Sequence, residues 1–517
     1  MNGAESLVKT LLASGVDTCF ANPGTSEMHF VAALDAHPEM RCILCLFEGG
    51  ASGAADGYHR MTGRIAATLL HLAPGFANAA ANLHNARKAG SGVLNIMGDH
   101  ATYHLRHESP LKGDTEATSR AISHWTRTCH DAAEVATDGA AAIQAARSRN
   151  GQIATLILPA NTAWEPATAA QTAPPPPALR TPSQADITAA AATLRLPGAA
   201  LLVDGAALHS DLSHTAARIA TATGCRLLAP CLVSRITRGA GAVKFERLAY
   251  AVEENVAVLS GITHLVLVGT ARPASFFAYP GKPSLPEPPG CAVHDLCQPD
   301  MDTAATLHAL ATALDAAEAL PPESFWPRDL PALPSGAMSL PKVGQAMAAL
   351  LPEDAVVVDE AITTSRHLTA PSQTARRHDW LHTTGGAIGY GLPAAVGAAI
   401  ACPKRKIVVP VGDGSAMYTL QSLWTMARER LDICAVVFSN RGYQILRGEL
   451  ANVGVTDVGR NAVRMFDVVE PTLDWVALAK GHGVDAVRVT DTDQFVAAFA
   501  GAMNRKGPFV IEVMCEE

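Results

Sequence analysis

One pattern recurs throughout this chain: a short aliphatic run that ends in Gly or Asp and passes into an Ala-rich amphipathic stretch. It reads GVLNIMGDH at 92–100, ALLVDGAA at 200–207, HLVLVGTA at 264–271, AVVVDEA at 355–361, KIVVPVGDG at 406–414 and ICAVVFSN at 433–440. A strand without polar alternation is apolar on both faces, so it belongs in a parallel sheet covered by helices on both sides. The expected class is α/β, built from doubly wound parallel sheets. In such sheets ligands bind beyond the carboxyl ends of the strands. The polar residues just after each run are therefore the first candidates for chemistry.

Two Pro-rich stretches, AQTAPPPPALRTP at 170–182 and LPPESFWPRDLPALPSG at 320–336, interrupt the pattern. Four consecutive prolines form neither helix nor central strand, so these read as surface linkers. They leave segments 1–169, 183–319 and 337–517, each the size of one domain, in a chain of 517 residues. With 48% hydrophobic and 17% charged residues the chain is not a disordered one. A net charge of −8 excludes a generally basic nucleic-acid binder and a polybasic membrane patch.

The N-terminal stretch carries Glu5, Lys9 and Asp17 and does not read as a signal peptide. The longest uncharged stretch, Thr383 to Cys402, is studded with glycines and holds Pro393, which suits a packed loop and helix better than a membrane span. Eleven scattered cysteines fit a reduced cytoplasm. Cys42 and Cys45 form a CxxC inside the apolar run Arg41 to Phe47, and read as buried thiols on a strand.

The sharpest local arrangement is Val411-Gly412-Asp413-Gly414-Ser415, followed by an amphipathic stretch with Met417, Leu420, Trp424 and Ala427 on one helical face. A strand, a glycine turn and a helix start make an anion site. An acid at that mouth makes sense if a divalent cation sits between Asp413 and phosphate. The next strand ends at Ser439-Asn440-Arg441-Gly442. Neighbouring parallel strands would bring Asn440 and the Gly442 carbonyl to the same cation. The alternative is a tight turn and a helix cap.

This combination resembles the diphosphate motif of thiamine-diphosphate (ThDP) enzymes, with Ser439-Asn440 where the family often has Asn-Asn. Such an enzyme also needs a Glu that hydrogen-bonds the cofactor's pyrimidine ring. Glu48 ends the run Arg41 to Phe47 and opens the stretch ASGAADGYHRMTG, so it matches, although a surface helix-start Glu is the other reading. Asn22-Pro23-Gly24-Thr25-Ser26-Glu27 resembles the family's N-terminal loop, and His71-Leu-Ala-Pro-Gly75-Phe-Ala-Asn78 its G-x-x-N turn. Gly385 to Pro393 resembles the segment that wraps the cofactor, where the resemblance gives the Gly386 carbonyl to the pyrimidine and makes Ile388 the apolar prop beneath it. Thr363 and Thr364, after another strand, would offer hydroxyls to the diphosphate beside Gly412, Gly414 and Ser415.

The resemblance spans the chain in the order pyrimidine-binding, central and diphosphate-binding domain, and is closest to the acetolactate synthase and benzoylformate decarboxylase group. It implies ThDP and Mg²⁺ as cofactors, with Asp413, Asn440 and Gly442 holding the metal. It implies a homodimer or homotetramer with each active site between subunits, because Glu48 and Asp413 must reach one cofactor. FAD, bound by the central domain of true acetolactate synthases, has no decisive feature here and is not expected. His71 and Thr25 match positions that hold a catalytic His and a substrate-touching Ser in the decarboxylase branch.

Imidazoles at a strand end can move protons. His71 follows one strand, and His100 follows another with Asp99 placed to orient it. His104 and His107 stand on the same helix turn as His100 if one forms there, with a zinc site as the weaker alternative. The stretch Arg272 to Gly281 carries Phe276 and Phe277 where the decarboxylase pattern has a second His, so an apolar substrate wall is expected. The expected reaction is decarboxylation of a 2-oxo acid with carboligation, of the acetolactate synthase type. The alternatives are a simple 2-oxo acid decarboxylase and a ThDP-binding protein without turnover.

Overall fold

The computed structural model of the chain describes residues 1–515. β1 (Thr18–Asn22), β2 (Arg41–Leu44), β3 (Ala66–Leu70), β4 (Val93–Asp99), β5 (Trp125–Thr128) and β6 (Ile153–Pro159) form a wholly parallel sheet in the order β2-β1-β3-β4-β6-β5. The next six strands are β7 (Ala199–Val203), β8 (Arg226–Ala229), β9 (Ile236–Arg238), β10 (Glu246–Arg247), β11 (His264–Val268) and β12 (Ala292–Cys297). Five of them make the second parallel sheet, in the order β10-β8-β7-β11-β12. The third sheet comprises β13 (Ala355–Asp359), β14 (His378–His382), β15 (Ile407–Gly412), β16 (Ile433–Ser439), β17 (Asp485–Val489) and β18 (Phe509–Met514).

The sixth strand of the central segment does not stay there. β9 pairs antiparallel with β14, so the third sheet runs β17-β18-β16-β15-β13-β14-β9 and is mixed at one edge. One strand of the segment 183–319 thus lies outside that segment's own sheet. The remaining pairs of the third sheet are parallel.

All six apolar runs are strands, β4, β7, β11, β13, β15 and β16, and their interiors are buried on both faces. The run at 41–47 is different. β2 stops at Leu44, and Cys42 is exposed while Cys45 is buried. As the outermost strand, β2 has a neighbour on one side only, β1, and its first residues stand in solvent. The stretch after Gly412 also departs from expectation. The helix Asp413–Ala416 ends early, and a second helix, Ser422–Arg428, follows a turn. Thr419 donates its hydroxyl to the Gly389 carbonyl at 3.0 Å, which bends the chain there. The turn shifts the buried face to Leu423 and Met426, leaving Met417, Leu420, Trp424 and Ala427 partly covered.

The first and third sheets are joined by two helices, Glu48–Thr62 and Gly391–Ala401. A Cβ on Gly57 would sit 2.0 Å from the Ala394 carbonyl oxygen, and one on Gly397 would sit 1.9 Å from that of Ala54. Only glycine permits so close an approach of two backbones. Beside this contact Arg60 is buried against Asp56, with Nε–Oδ1 at 2.8 Å and Nη2–Oδ2 at 2.6 Å. The guanidinium also donates to the carbonyls of Ser234 and His382 and to the Thr384 hydroxyl. Its plane lies 4.7 Å from the centre of the Tyr390 ring. Among the described residues no helix is long and apolar enough to cross a membrane.

A buried ion pair is tolerated only while both partners are satisfied, and removing one leaves a charge without compensation. Asp56→Ala should therefore lower stability by about 3–5 kcal/mol in urea unfolding. A loss under about 1 kcal/mol would show that the pair does not anchor this junction.

Candidate active site

The carboxyl edge of the first sheet gathers most of the N-terminal candidates. Glu48 is the first residue of its helix yet is 7% exposed, so it is not a surface helix-start acid. Asn78 donates its side-chain amide to Glu48 Oε2 at 2.9 Å. Gly75 separates Glu48 from His71: a Cβ there would lie 3.0 Å from Glu48 Oε1 and 3.4 Å from the His71 Cβ. The Asn22 amide donates to the Cys45 carbonyl at 2.7 Å and ties the 22–27 loop to the approach to Glu48.

His71 caps the helix Leu72–Ala89, and its Nδ1 lies 2.9 Å from Glu27 Oε2. Thr25, Ser26, His71 and His100 line one cavity of about 290 Å³, closed by Leu72, Tyr103, Leu111 and Trp164. Two readings of the histidine run are corrected. Residues 101–107 form successive turns, with the His104 N–H on the Ala101 carbonyl and the His107 N–H on that of His104, and no helix forms. The rings of His100, His104 and His107 stand in tilted succession, 5.5 Å apart at each step. Among the described residues no cluster of three or more His, Cys, Asp or Glu is placed to hold a metal. Asp99 does not orient the His100 ring: its oxygens accept from the His100 backbone N–H and the Thr115 hydroxyl. Ser109 bonds the ring instead, at 3.2 Å from Nε2.

Phe276 and Phe277 do not reach that cavity within the chain. They pack on each other at 5.1 Å, and Phe276 continues to Tyr250 at 5.0 Å. Phe276 lines a separate cavity of about 210 Å³ with Cys231, Tyr250, Thr270 and Arg272. Its ring tip lies 2.7 Å from where a Cβ on Gly386 would be, so an aromatic wall from the central segment touches the 385–389 turn.

The carboxyl edge of the third sheet carries the other set. Asp413 is buried, and burial raises its pKa although the Gly414 and Arg441 N–H groups, at 2.8 and 2.9 Å, pull it down. Among the described residues no Lys or Arg pairs with it. The Arg441 contact brings the 439–442 turn onto Asp413, and the Gly442 N–H donates to Asn440 Oδ1 at 3.3 Å. A carboxylate, and an amide oxygen and a backbone carbonyl on the turn that meets it, are hard oxygen donors of the kind Mg²⁺ takes. Gly412 and Ser415 flank the acid, and Tyr443 covers Gly414 so closely that a Cβ there would meet its ring at 2.6 Å. Thr363 and the buried Thr364 follow β13 on the same edge.

Between the two sets lies the turn holding Gly386, at φ 73, and the half-buried Ile388. Glu360 holds one end of it, accepting from the N–H groups of Gly389, Tyr390 and Gly391 at 2.7, 2.9 and 2.8 Å. Burial lifts the Glu360 pKa to about 7 against the pull of those three donors. Asn82 donates to the carbonyls of both Gly49 and Gly389, and Asn85 exchanges hydrogen bonds with Ala387. Asn82 and Asn85 lie on the buried face of the helix Leu72–Ala89, and the exposed Asn78 stands one turn before them. Asn82 and Asn85 follow Asn78 at helical spacing, a signal the sequence carries, and Glu27 ends the 22–27 motif.

Three non-glycine residues with left-handed backbone mark the same strand ends: Leu72 (φ 51) after His71, Ile362 (φ 51) after Glu360 and Arg441 (φ 59) after Asn440. Each such residue costs of order 1 kcal/mol, and such strain gathers where side-chain placement matters.

Known proteins place this geometry. Residues 1–122 match the model for the N-terminal TPP binding domain of thiamine pyrophosphate enzymes, and residues 362–513 that for the C-terminal TPP binding domain. A Mycobacterium tuberculosis protein provisionally designated acetolactate synthase large subunit IlvX is 48% identical over 99% of each chain. A benzoylformate decarboxylase of Pseudomonas aeruginosa is 28% identical over 96% of each. Among solved structures, the ThDP-dependent 4-hydroxybenzoylformate decarboxylase of Rhodococcus jostii superposes with a TM-score of 0.85 at 22% identity, over 100% of this chain and 99% of that one. The benzoylformate decarboxylase of Polynucleobacter necessarius gives 0.86 at 20% identity, over the same shares. These two share the three-domain fold. Near-full-length identity to the first relative, with both cofactor domains matched, makes the chain a member of the ThDP enzyme family, in the group of acetolactate synthases and benzoylformate decarboxylases.

Proposed function

We propose that the protein is a ThDP- and Mg²⁺-dependent enzyme that decarboxylates a 2-oxo acid and joins what remains to a second carbonyl, as an acetolactate synthase does. The observation that carries this reading is the pair of strand-end sets: Glu48 with Asn78 and Gly75 on one sheet, Asp413 with Asn440 and Gly442 on another. ThDP supplies a nucleophilic carbon and takes up the electron pair left when CO2 departs. Glu48 would hold a proton against the pyrimidine ring. Asp413, Asn440 and the Gly442 carbonyl would hold Mg²⁺, with Gly412, Gly414, Ser415, Thr363 and Thr364 around the diphosphate. Gly386 and Ile388 would seat the ring system between them. His71 would move protons at the cavity it shares with Thr25 and His100.

Phe276 and Phe277 stand where the decarboxylase pattern has a second His, and the lack of that imidazole favours carboligation. The relative at 48% identity supports the same reading. The two sets sit on different sheets of one chain, which suits a homodimer or homotetramer whose sites each draw on two subunits. The reading needs no FAD. Buried thiols at Cys19, Cys45, Cys129 and Cys434 suit a reducing cytoplasm. Simple decarboxylation is the second reading, favoured by the three imidazoles of His71, His100 and His104 opening on one cavity.

Incubation with pyruvate, benzoylformate and longer 2-oxo acids, with and without an aldehyde, separates the two. Acetolactate or a 2-hydroxy ketone supports the first, aldehyde alone supports the second, and no product with any acid removes both. Glu48→Gln should lower kcat by about 10²–10⁴-fold while ThDP still binds, measured by calorimetry. Asp413→Ala should instead abolish Mg²⁺-dependent ThDP binding, and retained binding would remove Asp413 from the metal site.

A further inference from the structure

Glu27 is 4% exposed, and its carboxylate accepts three hydrogen bonds: from the Gly24 N–H at 2.7 Å, from the Ser26 hydroxyl at 2.7 Å and from His71 Nδ1 at 2.9 Å. Two glycines make room for this contact. A Cβ on Gly98 would lie 1.7 Å from Glu27 Oε1, and one on Gly24 would lie 2.1 Å from His71 Nδ1. The strained Leu72, at φ 51, follows the imidazole directly. The acid and the ring thus come from different strand ends and are fitted to each other without slack.

An ionised carboxylate accepts and cannot donate, so the ring nitrogen beside it carries the proton. In the neutral imidazole that leaves the lone pair on Nε2, the nitrogen left for the cavity that His71 lines with Thr25, Ser26 and His100. We propose that Glu27 is a positioning residue: it fixes His71 in the Nδ1–H form, so that Nε2 takes a proton from water and delivers it to the oxygen of the second carbonyl as the new carbon–carbon bond forms in this cavity. The carboxylate also stabilises the imidazolium formed between those two transfers. The proposal rests on His71 being the proton-transfer group of the function proposed above, and extends it to a residue that does not touch the substrate. A merely structural role is the competing account, because Glu27 also pins the 24–26 turn.

A double-mutant cycle with Glu27→Gln and His71→Gln separates the two accounts. If Glu27 acts through His71, Glu27→Gln lowers kcat about ten- to hundredfold in the wild type with KM nearly unchanged, and has almost no effect in the His71→Gln background. Histidine-selective ¹⁵N NMR of the protein without added cofactor gives a reading independent of turnover. The His71 signal, identified by its loss in His71→Gln, should show protonated Nδ1 in the wild type and a tautomer mixture in Glu27→Gln. A full loss of kcat in the His71→Gln background, or an unchanged tautomer signal, overturns the proposal. If Glu27→Gln does not fold, Glu27→Asp keeps the charge but withdraws it from Nδ1, and the same cycle and spectra decide. If the wild type converts no 2-oxo acid at all, the proposed function fails, while the tautomer signal still decides whether Glu27 sets the ring.

Discussion

A guanidinium removed from water must find partners for all five of its N–H groups inside the protein. Arg60 does so by reaching into all three segments. It pairs with Asp56 on its own helix, meets the Ser234 carbonyl of the central segment, and meets the His382 carbonyl and Thr384 hydroxyl where β14 ends. The turn that carries Gly386 and Ile388 therefore starts on Arg60 and finishes on Glu360. Asn82 and Asn85 hold its middle from the N-terminal segment. The region expected to seat the cofactor has little freedom of its own. Its shape is set by a buried ion pair, a buried carboxylate and two buried amides on three different elements.

The strands buried on both faces could be read from sequence because burial leaves no polar alternation to confuse them. The strand ends followed, and with them Glu48, His71, Asp413 and Asn440. What escaped depends on neighbours that local pattern does not encode. β5, β12 and β17 lie at sheet margins, where half-exposed residues dilute the apolar run. The break after Ala416 reflects a hydrogen bond to Gly389, distant in sequence. The His100 to His107 stretch has helical spacing but folds as turns, and spacing alone does not make a helix.

Site residues divide along the same line. The candidates named from sequence mostly follow a strand, where topology alone puts them at a mouth. Glu27, Asn82, Asn85 and Glu360 act by bonding other polar groups, and their roles appear only when partners from separate segments meet. Phe276 illustrates the reverse case. It was read as substrate wall, and within one chain it packs on the Gly386 turn, away from the cavity of Thr25 and His100.

β9 has a consequence for how such a chain can change over time. The central segment contributes five strands to its own sheet and one to the edge of the next. A boundary drawn at the Pro-rich stretches would leave β14 with a bare flank and open backbone groups. Exchange of the central unit between relatives would thus carry a piece of its neighbour's sheet along with it. The segments look modular in sequence, yet two of them are bound to evolve as a pair.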